Sequence, residues 1–376
     1  MLPINRFPRN NWYVAAFSPE VGTAPLARTI CGDVVALFRT ASGKLAAVED
    51  RCIHRGMPFT HGGQCSGEII RCPYHGLEFD TGGNCVKIPG QDRIPAQAKL
   101  LTYPVIEQNK LVWIWMGDPL KAEGTKPPEQ PEHDDPRWAR ASTFMLHIEA
   151  DWQLVNDNLL DLTHVPFVHT RTIGADAASH TANANVETRR IGRRIEYNIH
   201  MPQVDPPPMY LQSHPFKGKI DRWQEMVFVP GLFRLWTGGT DAGTGALEGK
   251  REDGVQFKTL HAITPSTATS CYYHFTRSIN FGLEDIALHK RLHEARVMTV
   301  ETEDKHVIEA LQQRSLQYPD RPFVDTRWDV GPRHARRIVD EMIEEESVDE
   351  KIGGNDGSAG DANQFVNDSR GATTLA

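Results

Sequence analysis

Four side chains in the first quarter of this 376-residue chain restrict its fold more than any other feature. They form two pairs, Cys52-x-His54 and Cys72-x-x-His75, within the stretch CIHRGMPFTHGGQCSGEIIRCPYHG at residues 52–76. Paired thiol and imidazole ligands on separate segments grip a metal only when a rigid frame holds both segments as loops. Glycine and proline in both segments (Gly56, Pro58, Pro73, Gly76) predict such loops between short strands. His61 and Cys65 fall between the pairs but outside the pattern and read as loop residues. A structural zinc ion is one reading of two Cys and two His. Zinc pairs usually have wider spacing, however, and a finger carries its His pair on a helix.

Cysteines act as ligands rather than half-cystines in a reducing compartment. The amino-terminal stretch MLPINRFPRNNWYVAA lacks the apolar core of a signal peptide, and no apolar run reaches bilayer-spanning length. A cytoplasmic protein is expected, with no membrane partner. The formal net charge of −8 provides no basic footprint for nucleic acid. Cys31, Cys85 and Cys271 are scattered and read as buried apolar side chains.

Residues 10–118 read as β structure: DVVALF, KLAAVED and KLVWIWMG alternate with turn-forming Gly, Pro and Asn. Residues 119–137, rich in proline and charge, read as a linker, which predicts domains at 1–118 and 138–350. In the second, DWQLVNDNLLDLTHV predicts a helix with Trp152, Val155, Leu159 and Leu162 on one stripe, ended or kinked by Pro166. RRIEYNIHM, FKTLHAIT and SCYYHFTRSI predict strands. A long amphipathic helix follows from about Leu283 to Gln313, and a shorter one from about Pro332 to Glu345. Residues 351–376 are small and polar and read as a flexible tail.

A second ligand group appears at NDNLLDLTHVPFVHT, where Asn158, Asp161, His164 and His169 recur at helical spacing. Two histidines and one carboxylate make the facial triad of non-haem ferrous oxygenases, which leaves positions open for O2. Asp161 is one candidate for the carboxylate. Asp304 is another: it interrupts an apolar stripe of Val300, Val307, Ile308 and Leu311, and a buried carboxylate needs a partner. Glu303 and Glu309 fit the stripe less well, and Glu301 is a weaker rival.

The C-x-H…C-x-x-H pattern resembles the Rieske signature, in which two Cys hold one iron of a [2Fe–2S] cluster and two His hold the other. The flanks CIHRG and CPYHGLEFD match the cluster loops of Rieske oxygenases. With NNWYVAAF, VWIWMGDP, NLLDLTHVPFVH and EDKHVIEA, nearly the whole chain resembles the oxygenase component of Rieske non-haem iron oxygenases, in the vanillate and dicamba O-demethylase branch. The resemblance implies an α+β protein: an amino-terminal all-β Rieske domain, then a helix-grip-like catalytic domain whose antiparallel sheet wraps a long helix. Cys52, His54, Cys72 and His75 would hold the cluster; His164, His169 and Asp304 would hold Fe(II). Asp161 would then bridge a cluster histidine of a neighbouring subunit and an iron-ligating histidine of its own, with Asn158 beside it, in a head-to-tail homotrimer. Electrons would come from NADH through a separate reductase, with or without a ferredoxin, and O2 would be co-substrate.

The implied reaction is O- or N-dealkylation of a small substituted aromatic compound. The alternative within the family is cis-dihydroxylation of an aromatic acid such as a phthalate. Outside it stand an electron carrier with a decayed second site and a zinc-dependent interaction module. For the substrate, His261 matches a position where a relative's histidine binds an aromatic carboxylate. Arg234 is a candidate acid anchor, and Trp236 and Phe281 are candidate apolar walls.

Overall fold

The computed structural model describes residues 7–169, 185–211 and 213–354. The amino-terminal part builds short strands in chain order: β1 (Trp12–Phe17), β2 (Leu26–Ile30), β3 (Asp33–Arg39), β4 (Leu45–Glu49), β5 (Gln64–Ser66), β6 (Ile69–Arg71), β7 (Glu78–Asp80), β8 (Cys85–Lys87), β9 (Val105–Gln108) and β10 (Leu111–Trp115). They pair antiparallel in three sheets, β2-β3-β4, β5-β6-β7-β8 and β1-β10-β9. The four-stranded sheet presents the Cys72 segment as its β6–β7 connection. The Cys52 segment leads from β4 into that sheet's first strand.

The run LVWIW of β10 is buried at every position, which a strand needs only when both of its faces are covered. Val112 and Ile114 enter a core with Tyr13, Val35 and Leu37, while Leu111, Trp113 and Trp115 pack on Leu232, Leu260 and Ala262 of the second part. The sheet β1-β10-β9 is thus sandwiched between the two halves of the chain.

The second part is one antiparallel sheet: β11 (Ala139–Ile148), β12 (Asn185–Ile191), β13 (Arg194–Val204), β14 (Ile220–Val229), β15 (Leu232–Asp241), β16 (Val255–Thr267) and β17 (Ser270–Ile279). The order is β11-β17-β16-β15-β14-β13-β12, a meander closed at one edge by β11. Its inner face carries Phe233, Ile263, Tyr273 and Phe275. Over that face lie α1 (Trp152–Leu160), α2 (Ile286–Val297), α3 (Lys305–Gln317) and α4 (Val330–Gly354). Trp152, Val155, Val300, Ile308 and Val339 fill one inner core, and Leu160, Ile338 and Met342 another. This is the antiparallel sheet around a long helix that the sequence led us to expect.

Several local expectations are corrected. Helix α1 stops at Leu160, short of Leu162. Asp161 turns extended (φ −119°, ψ 95°), and its side chain accepts the Thr163 N–H, so a 3-10 turn, Leu162–His164, replaces the continuation. An aspartate competing for a local backbone donor ends a helix in this way. Pro166 sits in the first turn of a new helical turn, Val165–Val168, where its missing N–H costs nothing. The long helix is not uniform: between α2 and α3 lies a π-helical stretch, Met298–Asp304, in which the Lys305 N–H donates to the Val300 carbonyl. The buried stripe continues through Ile308 and Gln312, and Leu311 is exposed. Helix α4 outruns its expected end, so the first four residues of the expected tail are helical, and residues 355–376 lie outside the described residues.

The 119–137 segment is docked against the body. Gln130, Glu132 and His133 are buried, and the His133 Nε2 meets Thr276 Oγ1 at 2.8 Å. Glu346 ties α4 to the segment before β1, accepting the Arg9 and Asn10 N–H groups at 2.9 and 2.7 Å.

The β14–β15 hairpin closes on Pro230-Gly231, with Val229 paired to Leu232. Gly231 has φ +81°, and a Cβ there would stand 2.9 Å from the Tyr13 ring across the interface between the halves. Gly231→Ala is expected to destabilise the protein by about 2 kcal/mol through strain and overpacking. Urea unfolding followed by tryptophan fluorescence measures this, and an unchanged midpoint would refute the close contact.

Candidate metal centres

The two cysteine–histidine loops are built alike. The Cys52 N–H donates to Met57 O and the Gly56 N–H to Cys52 O, both at 2.9 Å. The Cys72 N–H donates to Leu77 O (2.8 Å) and the Gly76 N–H to Cys72 O (3.1 Å). Gly56 and Gly76 both turn the chain at φ +71°. Two equivalent loops thus face each other, with the Cys52 and Cys72 thiols within hydrogen-bond reach and the His54 and His75 ring centres 4.5 Å apart. The cysteines are each 1% exposed, whereas both histidines lie at the surface. Burial, reinforced by the Cys72 thiol, pushes the Cys52 thiol up to about 11. Facing thiols in an apolar pocket become thiolates when a cation joins them. The donor set, two buried sulfurs and two outward imidazoles, fits a Rieske cluster with its histidine-bound iron toward solvent.

The second centre assembles from three elements. His164 ends the 3-10 turn after α1, His169 follows the Val165–Val168 turn, and Asp304 closes the π-helical stretch. His164 Nε2, His169 Nε2 and Asp304 Oδ1 are separated by 3.2, 3.5 and 3.0 Å. Donors about 2.1 Å from one metal ion at angles near 90–110° would be roughly 3.0–3.4 Å apart; two sides of the triangle fall in that range and the third, His164 to Asp304, is slightly longer. The other ring nitrogens are committed. His164 Nδ1–H donates to the Asp161 carbonyl oxygen at 2.6 Å, and His169 Nδ1–H to Glu303 Oε2 at 2.7 Å. With both protons on Nδ1, each Nε2 presents a lone pair inward beside a carboxylate oxygen. Three lone pairs in a half-buried site require a cation between them. The donor set of two imidazoles and one carboxylate suits non-haem ferrous iron.

Where no cation lies between the three donors, protons take its place. Burial raises the Asp304 carboxyl, but the His164 and His169 imidazoles, donating from Nε2 when they carry a second proton, outweigh burial and hold it below the usual carboxylate range. Burial opposes charge on His169, yet Asp304 and Glu303 together raise it, so a bound metal would displace that proton. Asn158 Nδ2 reaches Asp304 Oδ1 at 3.4 Å.

Asp161 sits differently from the expectation within its own chain. Its Oδ1 accepts from Thr163 N and Oγ1, at 2.9 and 2.7 Å, and His164 takes its main-chain carbonyl instead of its carboxylate. Glu301 is exposed, and Glu309 accepts the Glu149 N–H, so neither competes with Asp304. Glu303 is the residue the sequence pattern passes over. In a regular α-helix neighbours diverge by 100°, whereas the wider π turn lets Glu303 and Asp304 both reach His169.

Of the candidate substrate residues, His261 lies on the inner face, 5% exposed, with Nδ1 bonded to the Tyr273 hydroxyl. Tyr273, Asn158, Val155, Leu159 and Asp304 line one small cleft. Arg234 and Trp236 are corrected: strand alternation puts them, with Leu260 and Ala262, on the opposite face from Phe233 and His261. Phe281 packs on Phe257 at the sheet end, ring centres 5.2 Å apart.

Comparison with known proteins accords with this geometry. Residues 11–104 match the Rieske [2Fe-2S] domain, and residues 148–345 match the vanillate O-demethylase oxygenase C-terminal domain. The iron–sulfur subunit of the toluene-4-sulfonate monooxygenase system of Comamonas testosteroni is 39% identical over 91% of this chain and 98% of that subunit. A vanillate O-demethylase oxygenase subunit of Pseudomonas sp. (strain HR199 / DSM 7063) is 32% identical over 91% of this chain and 97% of its own. Among solved structures, dicamba monooxygenase bound to 3,6-dichlorosalicylic acid superposes with a TM-score of 0.83 at 30% identity, over 91% of this chain and 99% of that one. The same enzyme with non-haem iron and dicamba gives 0.79 at 28% identity, over 92% and 99%. No helix among the described residues is long and apolar enough to cross a membrane. The chain belongs to the Rieske non-haem iron oxygenases, as an oxygenase component of the vanillate O-demethylase type.

Proposed function

We propose that this chain oxygenates an alkyl carbon carried by a small substituted aromatic compound, and that O- or N-alkyl substrates are dealkylated. The observation that carries this reading is the inward convergence of three lone pairs at His164, His169 and Asp304, with both Nδ1 atoms held from behind. Bound iron would supply O2 activation there, and the cluster would supply electrons singly. For a methyl ether the balance is ArOCH3 + O2 + NADH + H+ giving ArOH + HCHO + H2O + NAD+. The hemiacetal formed on substrate collapses without further help from the protein.

The chain's own residues set the conditions. The Asp161 carbonyl and Glu303 fix the two imidazole planes. Val155, Leu159 and Val300 keep the cleft apolar, and Asn158 steadies Asp304. We assign His54 and His75, exposed at the cluster edge, as the place where electrons leave for a neighbouring subunit whose Asp161 approaches them. Residues 1–118 then act as the electron-carrying unit and 138–350 as the catalytic unit, in a homotrimer. A cytoplasmic location and an NADH-dependent reductase, with or without a ferredoxin, complete the reading. The monooxygenase and demethylase relatives favour it over ring dihydroxylation, since a vanillate demethylase and a toluene-4-sulfonate monooxygenase both align over nearly their full length.

Purified protein with NADH and a compatible reductase should release formaldehyde from methoxybenzoates in step with O2 consumption, or convert methyl arenes to benzyl alcohols. Diol products without either outcome would refute the reading. Asp304→Ala should reduce iron content to that of the cluster alone while leaving the visible cluster spectrum intact. Glu303→Gln should weaken mononuclear iron binding by about 10- to 100-fold, read by chelator competition. Undiminished affinity would show that Glu303 does not orient His169.

A further inference from the structure

The inner face of the sheet holds two arginines that the metal centres do not use. Arg277 on β17 is 4% exposed, and its Nε makes a long 3.5 Å contact with Thr259 Oγ1. Arg296 on α2 approaches from the helix layer, and its buried Nε has no hydrogen-bond partner. Their guanidinium carbons stand 5.9 and 5.6 Å from the centre of the Phe275 ring. His261, opposite Phe275 in the β16–β17 register, places its ring 5.3 Å from that same ring. Its Nε2 is buried and also without a partner. When the Tyr273 hydroxyl donates to Nδ1, that Nε2 carries a proton and has nothing to donate to.

Among the described residues, no carboxylate stands within ion-pair distance of either guanidinium. Two like charges, Arg277 buried and Arg296 half-buried with a stranded Nε, are costly side by side unless an anion joins them. Arg296 feels the charge of Asp304, but that carboxylate is committed to His164 and His169. Burial, then each other's charge, pulls Arg277 well below the ordinary arginine range, and burial lowers Arg296. A bound anion reverses both effects.

We propose that Arg277, Arg296 and the His261 Nε2–H form the subsite for an anionic group on the aromatic substrate, a sulfonate or a carboxylate. Phe275 lies among them as an apolar floor, and Tyr273 links the subsite to the cleft beside Asp304. The donors number more than a carboxylate's two oxygens need, and a sulfonate offers three. This subsite rests on the aromatic oxygenase reading and names its substrate class.

The test is calorimetric titration of the purified protein with iron and cluster, anaerobic and without reductase, so that no turnover occurs. The probes are 4-methylbenzenesulfonate, 4-methylbenzoate and their neutral amides. Wild type should bind the anions at least about 10-fold more tightly than the amides. Arg277→Gln and Arg296→Gln should each weaken anion binding by about 10- to 100-fold, with amide binding little changed and partial recovery in Arg277→Lys. The tighter anion identifies the group. Equal binding of anions and amides by wild type overturns the proposal, and that comparison decides even if the variants do not fold. Folded variants that bind anions like wild type overturn it as well. Discrimination without aldehyde or alcohol production would sink the proposed reaction and leave the subsite standing. Turnover of aromatics without discrimination would do the reverse.

Discussion

Three lone pairs held 3.0–3.5 Å apart in a half-buried site repel one another until a cation sits among them, and much of this fold serves to hold them there. Two of the three positions depend on what lies behind the ring. A main-chain carbonyl holds His164 and a carboxylate holds His169, so the helix-ending behaviour of Asp161 becomes part of the metal site. The third depends on a helix pressed to the sheet by Val300 and Ile308, residues four before and four after Asp304. Local backbone chemistry, packing and ligand chemistry here are one constraint seen at three scales.

The amino-terminal half is fastened to that constraint rather than tethered by a loose linker. Strands β1 and β10 are buried on both faces, and their tryptophans pack against the outer face of the second part's sheet. The docked 119–137 segment and the Glu346 contacts to Arg9 and Asn10 add polar fastenings. The two cysteine–histidine loops therefore stand at a fixed distance from the rest of the chain, with sulfur buried and imidazole outward.

Much of this was legible in the residues. Ligand spacing at 52–75 and at 164–169, with the apolar stripe around Asp304, singled out side chains that the fold gathers into two groups. What escaped had physical reasons. A π turn leaves no sequence period, so Glu303 fitted the apolar stripe less well than Asp304. Arg234 and Trp236 looked like pocket residues because the face of a strand depends on register. The two-residue turn at Pro230-Gly231 fixes that register, and a slip of one residue would exchange the faces. Arg277 and Arg296 lie on different elements, and only the folded chain brings them to one ring.

Arg296 and Asp304 belong to the same uninterrupted helical rod, eight positions apart. At an α-helical rise they are separated by about 12 Å along its axis, and a wider π turn lies between them. A rod of that kind works as a ruler. With the proposed subsite at one end and the triad at the other, it would set how far a substrate's charge sits from the carbon to be oxidised, so selection among substrates would become a matter of length as well as charge. Inserting or removing one residue in the Met298–Asp304 stretch would change that length and would also turn Asp304 by about 100° relative to Arg296, so length and ligand geometry are coupled.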